Sequence, residues 1–312
     1  MRKKVFAAID LGTNSCRLVV SDLSGKYLLT DVESVKLGLG MYENMRFTEE
    51  SMKRVLDNFL RLKKVLEEYD IVSYRYIATA ACRMASNGEE FVKKVFEKTG
   101  IKLEIIDEKE EARLSLKGGA SHVLGQSAYI LTFDIGGGST EVTLAENNKG
   151  LKIVKTISIP WGSRNASDAF EINDYVVENA NKFRKEIKKY LDGFLSDIDY
   201  EKYAKDLICV ALSSTSLRIA ALVDNKNVYD RELYDGFCIK KSDFDKRFDS
   251  ICAMSFEERA KSYYIGHRAD IFVASCVLYQ SVIDTFGVDA IVASLRSAKD
   301  GIIKDLVEKY NG

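Results

Sequence analysis

The chain has 312 residues, 46% hydrophobic and 30% charged, which excludes a disordered polyelectrolyte and is enough for one large domain or two of ordinary size. With 46 Lys+Arg against 47 Asp+Glu the formal net charge is -1, so no global field directs the protein to nucleic acid or an anionic membrane. Six scattered cysteines without a Cys-x-x-Cys read as reduced thiols of a cytoplasmic protein, and no stretch approaches the ~18 uncharged apolar residues of a membrane span.

The first strand, Val5-Phe6-Ala7-Ala8-Ile9, ends in Asp10 and a glycine-bearing, hydroxyl-rich turn, Leu11-Gly12-Thr13-Asn14-Ser15. Residues 16–21 continue as a strand, and 27–30 return after the Ser24-Gly25 turn. From 48 to 69, apolar residues recur at Met52, Val55, Leu56, Phe59, Leu62, Val65 and Leu66, a 3.6 period that predicts a helix capped near Thr48 or Glu49. Residues 74–79 predict a short strand, 88–98 a helix, 103–106 a strand, and another helix begins near Glu110. The opening device then returns: Tyr129-Ile130-Leu131-Thr132-Phe133 ends in Asp134, followed by Ile135-Gly136-Gly137-Gly138-Ser139-Thr140. Strands follow at 141–144 and 151–159, a long amphipathic helix at 174–195, and a buried strand at 207–212 ending in Ser213-Ser214-Thr215-Ser216. Residues 243–286 are largely helical, with a last strand at 289–292 and a helix from about 298. The restart of the motif sets a domain boundary near residue 122. Alternating elements in two related halves predict α/β domains, with the crevice between the halves as the default ligand site.

A strand that delivers a carboxylate to a turn of little side-chain bulk suits a divalent cation and a phosphate, through oxygen ligands for one and exposed N–H groups for the other. The plain alternative is an Asx turn at each strand end, but the two strings match each other. Three successive glycines exceed what a two-residue hairpin turn needs. Neither G-x-x-x-x-G-K-[ST] nor G-x-G-x-x-G occurs, which removes the commonest nucleotide fingerprints. In the acidic run 107–111, Asp107 and Glu110 have capping-box spacing, which assigns Glu110 to capping; Glu111 points about 100° further round the helix. Residue types alone leave Glu111 as either a solvated helix-start carboxylate or a base. Arg83, after the 74–79 strand, is either a surface arginine or a phosphate ligand through its donor fork. Two histidines, His122 and His267, argue against a histidine metal site or triad, and Ser15 and Ser139 show no partnered base as covalent nucleophiles.

Taken together, the strings resemble the exopolyphosphatase/guanosine pentaphosphate phosphatase (Ppx/GppA) family. Its opening motif is similar to Ile9-Asp10-Leu11-Gly12-Thr13-Asn14-Ser15-Cys16-Arg17-Leu18, and its second to residues 78–88 around Arg83. Glu110-Glu111-Ala112-Arg113-Leu114 matches the third, and residues 133–141, Phe133 to Glu141, the fourth. Lys36-Leu37-Gly38-Leu39-Gly40 and Arg268-Ala269-Asp270 also fit, so the resemblance runs through almost the whole chain in order.

The resemblance implies two actin/hsp70/sugar-kinase-like (ribonuclease H-like) domains around a cleft: residues 1–122 plus the terminal helix, about 298–312, and residues 123–297. It implies Glu111 as the general base for the attacking water, and Asp10 and Asp134 as holders of Mg²⁺ or Mn²⁺. Gly12, Thr13, Asn14, Ser15, Arg83, Gly136, Gly137, Gly138, Ser139 and Thr140 would bind terminal phosphates. The expected activity is hydrolysis of inorganic polyphosphate to orthophosphate, with pppGpp as the closest alternative substrate and the stringent response as its setting. Nucleic acid and membrane are not expected as partners, and a homodimer is plausible by resemblance. A neutral protein needs extra contacts or a local basic strip to hold a long polyanion, for which Lys152, Lys155 and Arg164 are candidates. Two departures stand out: Ser213-Ser214 where relatives have paired glycines, and Glu108-Lys109 where they have Ser-Gly. The first disfavours an ATP-dependent kinase of the same fold; a polyphosphate- or alarmone-binding protein without turnover is the remaining alternative. The chain looks like the short two-domain form.

Overall fold

The computed structural model describes residues 2–41, 43–148, 150–212, 214–226 and 229–312. The chain divides into two compact units, Met1–Gly118 with Ala298–Gly312, and Gly119–Ser297.

The first unit runs β1 (Lys4–Leu11), β2 (Cys16–Ser21), β3 (Tyr27–Glu33), α1 (Glu49–Leu66), β4 (Asp70–Ala78), α2 (Ala80–Met84), α3 (Gly88–Thr99), β5 (Glu104–Ile105) and α4 (Glu108–Gly119), and it is completed by the C-terminal helix Ala298–Asn311. Its sheet has the order β3-β2-β1-β4-β5, antiparallel from β1 through β3 and parallel from β1 through β5. The apolar run of β1 is covered on both sides. Val5, Ala7, Ile9 and Leu11 join the core under α1 and α3, whereas Phe6 and Ala8 meet Leu114 of α4 and Ile302, Ile303 and Leu306 of the C-terminal helix. Strand alternation therefore sets Asp10 on the Phe6/Ala8 face. Helix α1 forms where the 3.6 period predicts it. Thr48 accepts a hydrogen bond from the Ser51 N–H, Glu49 and Glu50 occupy the first turn, and Lys63 and Lys64 the last, all favourable to the helix dipole.

The second unit runs β6 (Tyr129–Ile135), β7 (Thr140–Glu146), β8 (Lys152–Ile159), α5 (Ser163–Ala169), α6 (Val177–Ser196), α7 (Tyr200–Ala204), β9 (Leu207–Leu212), α8 (Ser214–Asp224), β10 (Cys238–Lys240), α9 (Lys241–Ala253), α10 (Phe256–Lys261), α11 (Phe272–Phe286) and β11 (Ala290–Ser294). The order β8-β7-β6-β9-β11 repeats that of the first unit strand for strand, with β10 added antiparallel at the edge. Leu131, Phe133 and Ile135 enter the core and Asp134 faces the other side.

Three features depart from the sequence expectation. The stretch 243–286 is three helices interrupted at 262–271, the segment that carries Arg268 and Asp270. Ser214, Thr215 and Ser216 open α8 rather than a turn, while Ser213 lies outside the described residues. Helix α5 and strand β10 were not anticipated. Among the described residues no helix is long and apolar enough to cross a membrane.

Candidate functional site

In the first unit, β1 and β2 pair so that Asp10 lies opposite Arg17 and Leu11 opposite Cys16, and the turn between closes with the Gly12 N–H donating to Ser15 O at 2.9 Å. Asp10 is 4% exposed, and its Oδ2 accepts from the Arg17 guanidinium at 3.0 Å. The turn's carbonyls are tied from outside: Gly38 N–H reaches Thr13 O at 2.9 Å and Lys36 N–H reaches Asn14 O at 3.0 Å. With those carbonyls engaged on one side, the turn offers N–H groups to the other. The Asn14 side chain is buried, and among the described residues its Oδ1 has no hydrogen-bond partner. Ser15 is half-buried at the end of the turn.

Beside this turn, β4 delivers Thr79 to the start of α2, where its hydroxyl donates to Leu11 O at 3.4 Å. One turn on, Arg83 donates to Ile106 O at 3.0 Å and to Glu111 Oε2 at 2.6 Å. The predicted phosphate ligand and the predicted base are thus in direct contact, with side chains 18% and 13% exposed. Glu110 corrects the capping expectation. The Asp107 carboxylate caps the Glu110 N–H at 2.8 Å, but the Glu110 side chain turns away to Arg75 and Arg113. Those arginines hold its carboxyl below the usual range, Arg113 contributing most. Arg113 continues to Asp305 at 2.5 Å, and Lys117 reaches Asp305 at 2.7 Å, so salt bridges lock α4 to the C-terminal helix. The two helices touch at their backbones: a Cβ on Gly301 would lie 2.1 Å from Leu114 O. Cys82, next to Arg83, is pushed up to about 12 by burial, so it is a thiol at neutral pH and no nucleophile.

In the second unit the hairpin repeats residue for residue: Asp134 lies opposite Glu141, Ile135 opposite Thr140, and Gly136 N–H donates to Ser139 O at 2.9 Å. Where the first hairpin sets an arginine across from its aspartate, the second sets a glutamate. Directly opposed side chains on antiparallel strands share one face about 5 Å apart at Cβ. Glu141 is 5% exposed, and its Oε1 accepts from Ser139 Oγ at 2.6 Å and Ser158 Oγ at 3.0 Å. Ser139 therefore does have a carboxylate partner, contrary to the sequence reading, and its hydroxyl proton is directed at Glu141. Thr140 is fully buried, and its hydroxyl donates to Trp161 O at 2.8 Å.

The triple-glycine turn rests on α5, whose residues 163–167 are all buried although four of the five are polar. Ser163 N–H and Oγ reach Gly136 O at 2.8 and 3.0 Å, and Arg164 and Asn165 N–H reach Gly137 O at 2.8 and 3.2 Å. Asn165 Nδ2 reaches Gly138 O at 3.0 Å. Arg164 is 4% exposed and donates to Asp270 at 2.5 Å, so it belongs to this buried support and not to a surface strip. Lys155 is likewise engaged, with Phe194 O at 2.9 Å and Asp197 at 2.5 Å.

Sequence reasoning missed Glu141 and α5. The signal for Glu141 was its position, as far beyond Asp134 as Arg17 is beyond Asp10. A hard cation fits these residues. Among those described, no three His, Cys, Asp or Glu side chains converge as a cage, and Mg²⁺ is commonly held by one or two carboxylates with phosphate oxygens completing its sphere. Asp134 with Glu141, and the partnerless Asn14 Oδ1 near Asp10, supply oxygen donors of that type.

The Ppx/GppA phosphatase family model matches residues 19–310. A bifunctional 3-dehydroquinate synthase/phosphatase of Fusobacterium nucleatum is 30% identical over 97% of this chain and 46% of its own length. A guanosine-5′-triphosphate,3′-diphosphate pyrophosphatase of Photobacterium profundum is 33% identical over 53% of this chain and 34% of its own. The chain thus spans less than half the length of either. Among solved structures, an exopolyphosphatase-like protein superposes with a TM-score of 0.90 at 25% identity, covering 98% of this chain and 99% of that one. The two mixed sheets are those of the actin-like fold, and the chain belongs to the Ppx/GppA phosphatase family.

Proposed function

We propose that the protein hydrolyses the terminal phosphoanhydride bond of inorganic polyphosphate and releases orthophosphate. The Arg83–Glu111 contact supports this reading: a guanidinium of the kind that binds a terminal phosphate lies 2.6 Å from a carboxylate of the kind that orients water. In the reaction a water oxygen forms a bond to the terminal phosphorus as its proton passes to Glu111. The bridging P–O bond breaks, and the shortened chain leaves with the electron pair. Such a displacement needs positioning and charge neutralisation more than covalent help. In the first unit Arg83 and the N–H groups of Thr13 to Ser15 would bind phosphate oxygens; in the second the N–H groups of Gly137 to Ser139 are the equivalent donors. Asp134 and Glu141 in the second unit would hold Mg²⁺, which would neutralise further charge, and Asp10 is the equivalent carboxylate of the first unit.

A second reading, removal of the 5′-terminal phosphate of pppGpp, is favoured by the name of the Photobacterium relative. Phosphate release from short polyphosphate, long polyphosphate, pppGpp and ATP, measured in parallel, separates the two. Glu111→Gln is expected to lower kcat about 10²- to 10⁴-fold with an unchanged circular dichroism spectrum. Full activity of that variant would overturn the assignment of the base.

A further inference from the structure

Helix α5 is short, polar and buried, a combination that an apolar core does not explain. Its contents account for it: Ser163, Arg164 and Asn165 between them supply donors to the carbonyls of Gly136, Gly137 and Gly138. Asn165 is the hub, at 2% exposure. Its Nδ2 donates to Gly138 O at 3.0 Å and Pro160 O at 2.9 Å, while its Oδ1 accepts from Gly162 N–H at 2.7 Å. One amide therefore spans the turn, the end of β8 and the N-cap of α5. Gly162 makes the approach possible, since a Cβ there would lie 2.6 Å from Gly137 C and Gly138 N. A turn of three glycines has the widest backbone freedom of any triplet, so its conformation must be imposed from outside.

We infer that Asn165 is a positioning residue for phosphate binding: by holding the Gly138 and Pro160 carbonyls and the Gly162 N–H, it keeps the triple-glycine turn with its carbonyls inward and its N–H groups toward the anion. The inference rests on the reading of residues 136–139 as a phosphate loop. It makes no claim that Asn165 touches substrate. Neither the apolar Asn165→Leu nor the isosteric Asn165→Asp can donate to Gly138 O and Pro160 O, and the aspartate adds a charge facing those carbonyls.

The test measures inorganic phosphate binding by calorimetry, together with KM and kcat for polyphosphate. The set is the wild type, Ser139→Ala and Gly137→Ala in the turn, and Asn165→Asp, Asn165→Leu and Asn165→Ser in its support, with thermal unfolding of each. Support takes the form of phosphate binding weakened roughly tenfold and KM raised to match in Asn165→Asp or Asn165→Leu, with kcat changed much less. Asn165→Ser, a small polar residue, guards against loss of folding and is expected to fall between wild type and leucine. If the turn variants weaken phosphate binding while every folded Asn165 variant binds as the wild type does, the inference is wrong and the phosphate loop stands. If turn and Asn165 variants alike bind as the wild type does, the phosphate loop itself is wrong and the inference falls with it. A drop in melting temperature without a change in phosphate binding would reduce Asn165 to a packing role.

Discussion

The two hairpins share a register, a glycine-to-serine closing bond and an aspartate at the same station, yet they differ in what faces that aspartate. Arg17 pairs with Asp10, whereas Glu141 sets a second carboxyl group opposite Asp134. Their supports differ too. Backbone N–H groups of Lys36 and Gly38 tie the first turn, while the second needs a buried polar helix and the Asn165 side chain. A duplicated backbone thus supplies the same N–H donors twice, and the side chains divide the labour. The first unit holds the Arg83–Glu111 pair, proposed as phosphate ligand and base; the second holds the opposed carboxyl groups proposed for a cation.

The comparison breaks most visibly at the cross-strand partner. Glu141→Gln keeps an acceptor for Ser139 and Ser158 but removes a charge. The Mg²⁺ concentration for half-maximal phosphate release is expected to rise about 10- to 100-fold. Arg17→Gln, at the equivalent station, is expected to shift that midpoint far less; equal shifts would erase the distinction between the hairpins.

A second break lies in the supports. Gly162→Ala forces a methyl group against the backbone of Gly137 and Gly138, and is expected to destabilise the second unit by about 1–3 kcal/mol, visible as a lower melting temperature. An unchanged melting temperature would show that α5 moves aside at little cost.

The smallest effect is acid sensitivity. The link between α4 and the C-terminal helix in the first unit is ionic, through Glu110, Arg113 and Asp305. Asp305 is raised by burial but lowered by more through Arg113 and Lys117, so both carboxyls titrate below their ordinary values. A depressed carboxyl contributes stability that is present above its unfolded pKa and lost as pH falls through its folded one. Amide exchange in α4 and the C-terminal helix should therefore accelerate as pH drops below the ordinary carboxylate range, and Arg113→Met should flatten that dependence. The Ser163 and Asn165 contacts under the triple-glycine turn do not titrate there. Equal acceleration around that turn would remove the contrast.

Much of the fold is legible in the sequence, because both hairpins and α1 announce themselves by local periodicity and turn chemistry. Strand 207–212 coincides with β9. The support of the site is far less legible. Helix α5 has no apolar stripe, and Gly162, Ser163 and Asn165 are residues that ordinarily mark a loop; the carbonyls of a turn 27 residues upstream take up the donors of Ser163 and Asn165 and account for their burial. Arg164 looked like a surface cation for the same reason. Glu110 resembles a capping residue locally, but Arg75, from a strand 35 positions away, decides its direction.

The C-terminal helix has a consequence for biosynthesis. The second unit is continuous in sequence, so all of its strands and helices have been synthesised before residue 298 is added. The first unit cannot close at that point: the face of β1 bearing Phe6, Ala8 and Asp10 still lacks Ile302, Ile303 and Leu306. Translation therefore completes the sequence of the later-made unit first, while the earliest strand waits, one side uncovered, for the residues of the C-terminal helix.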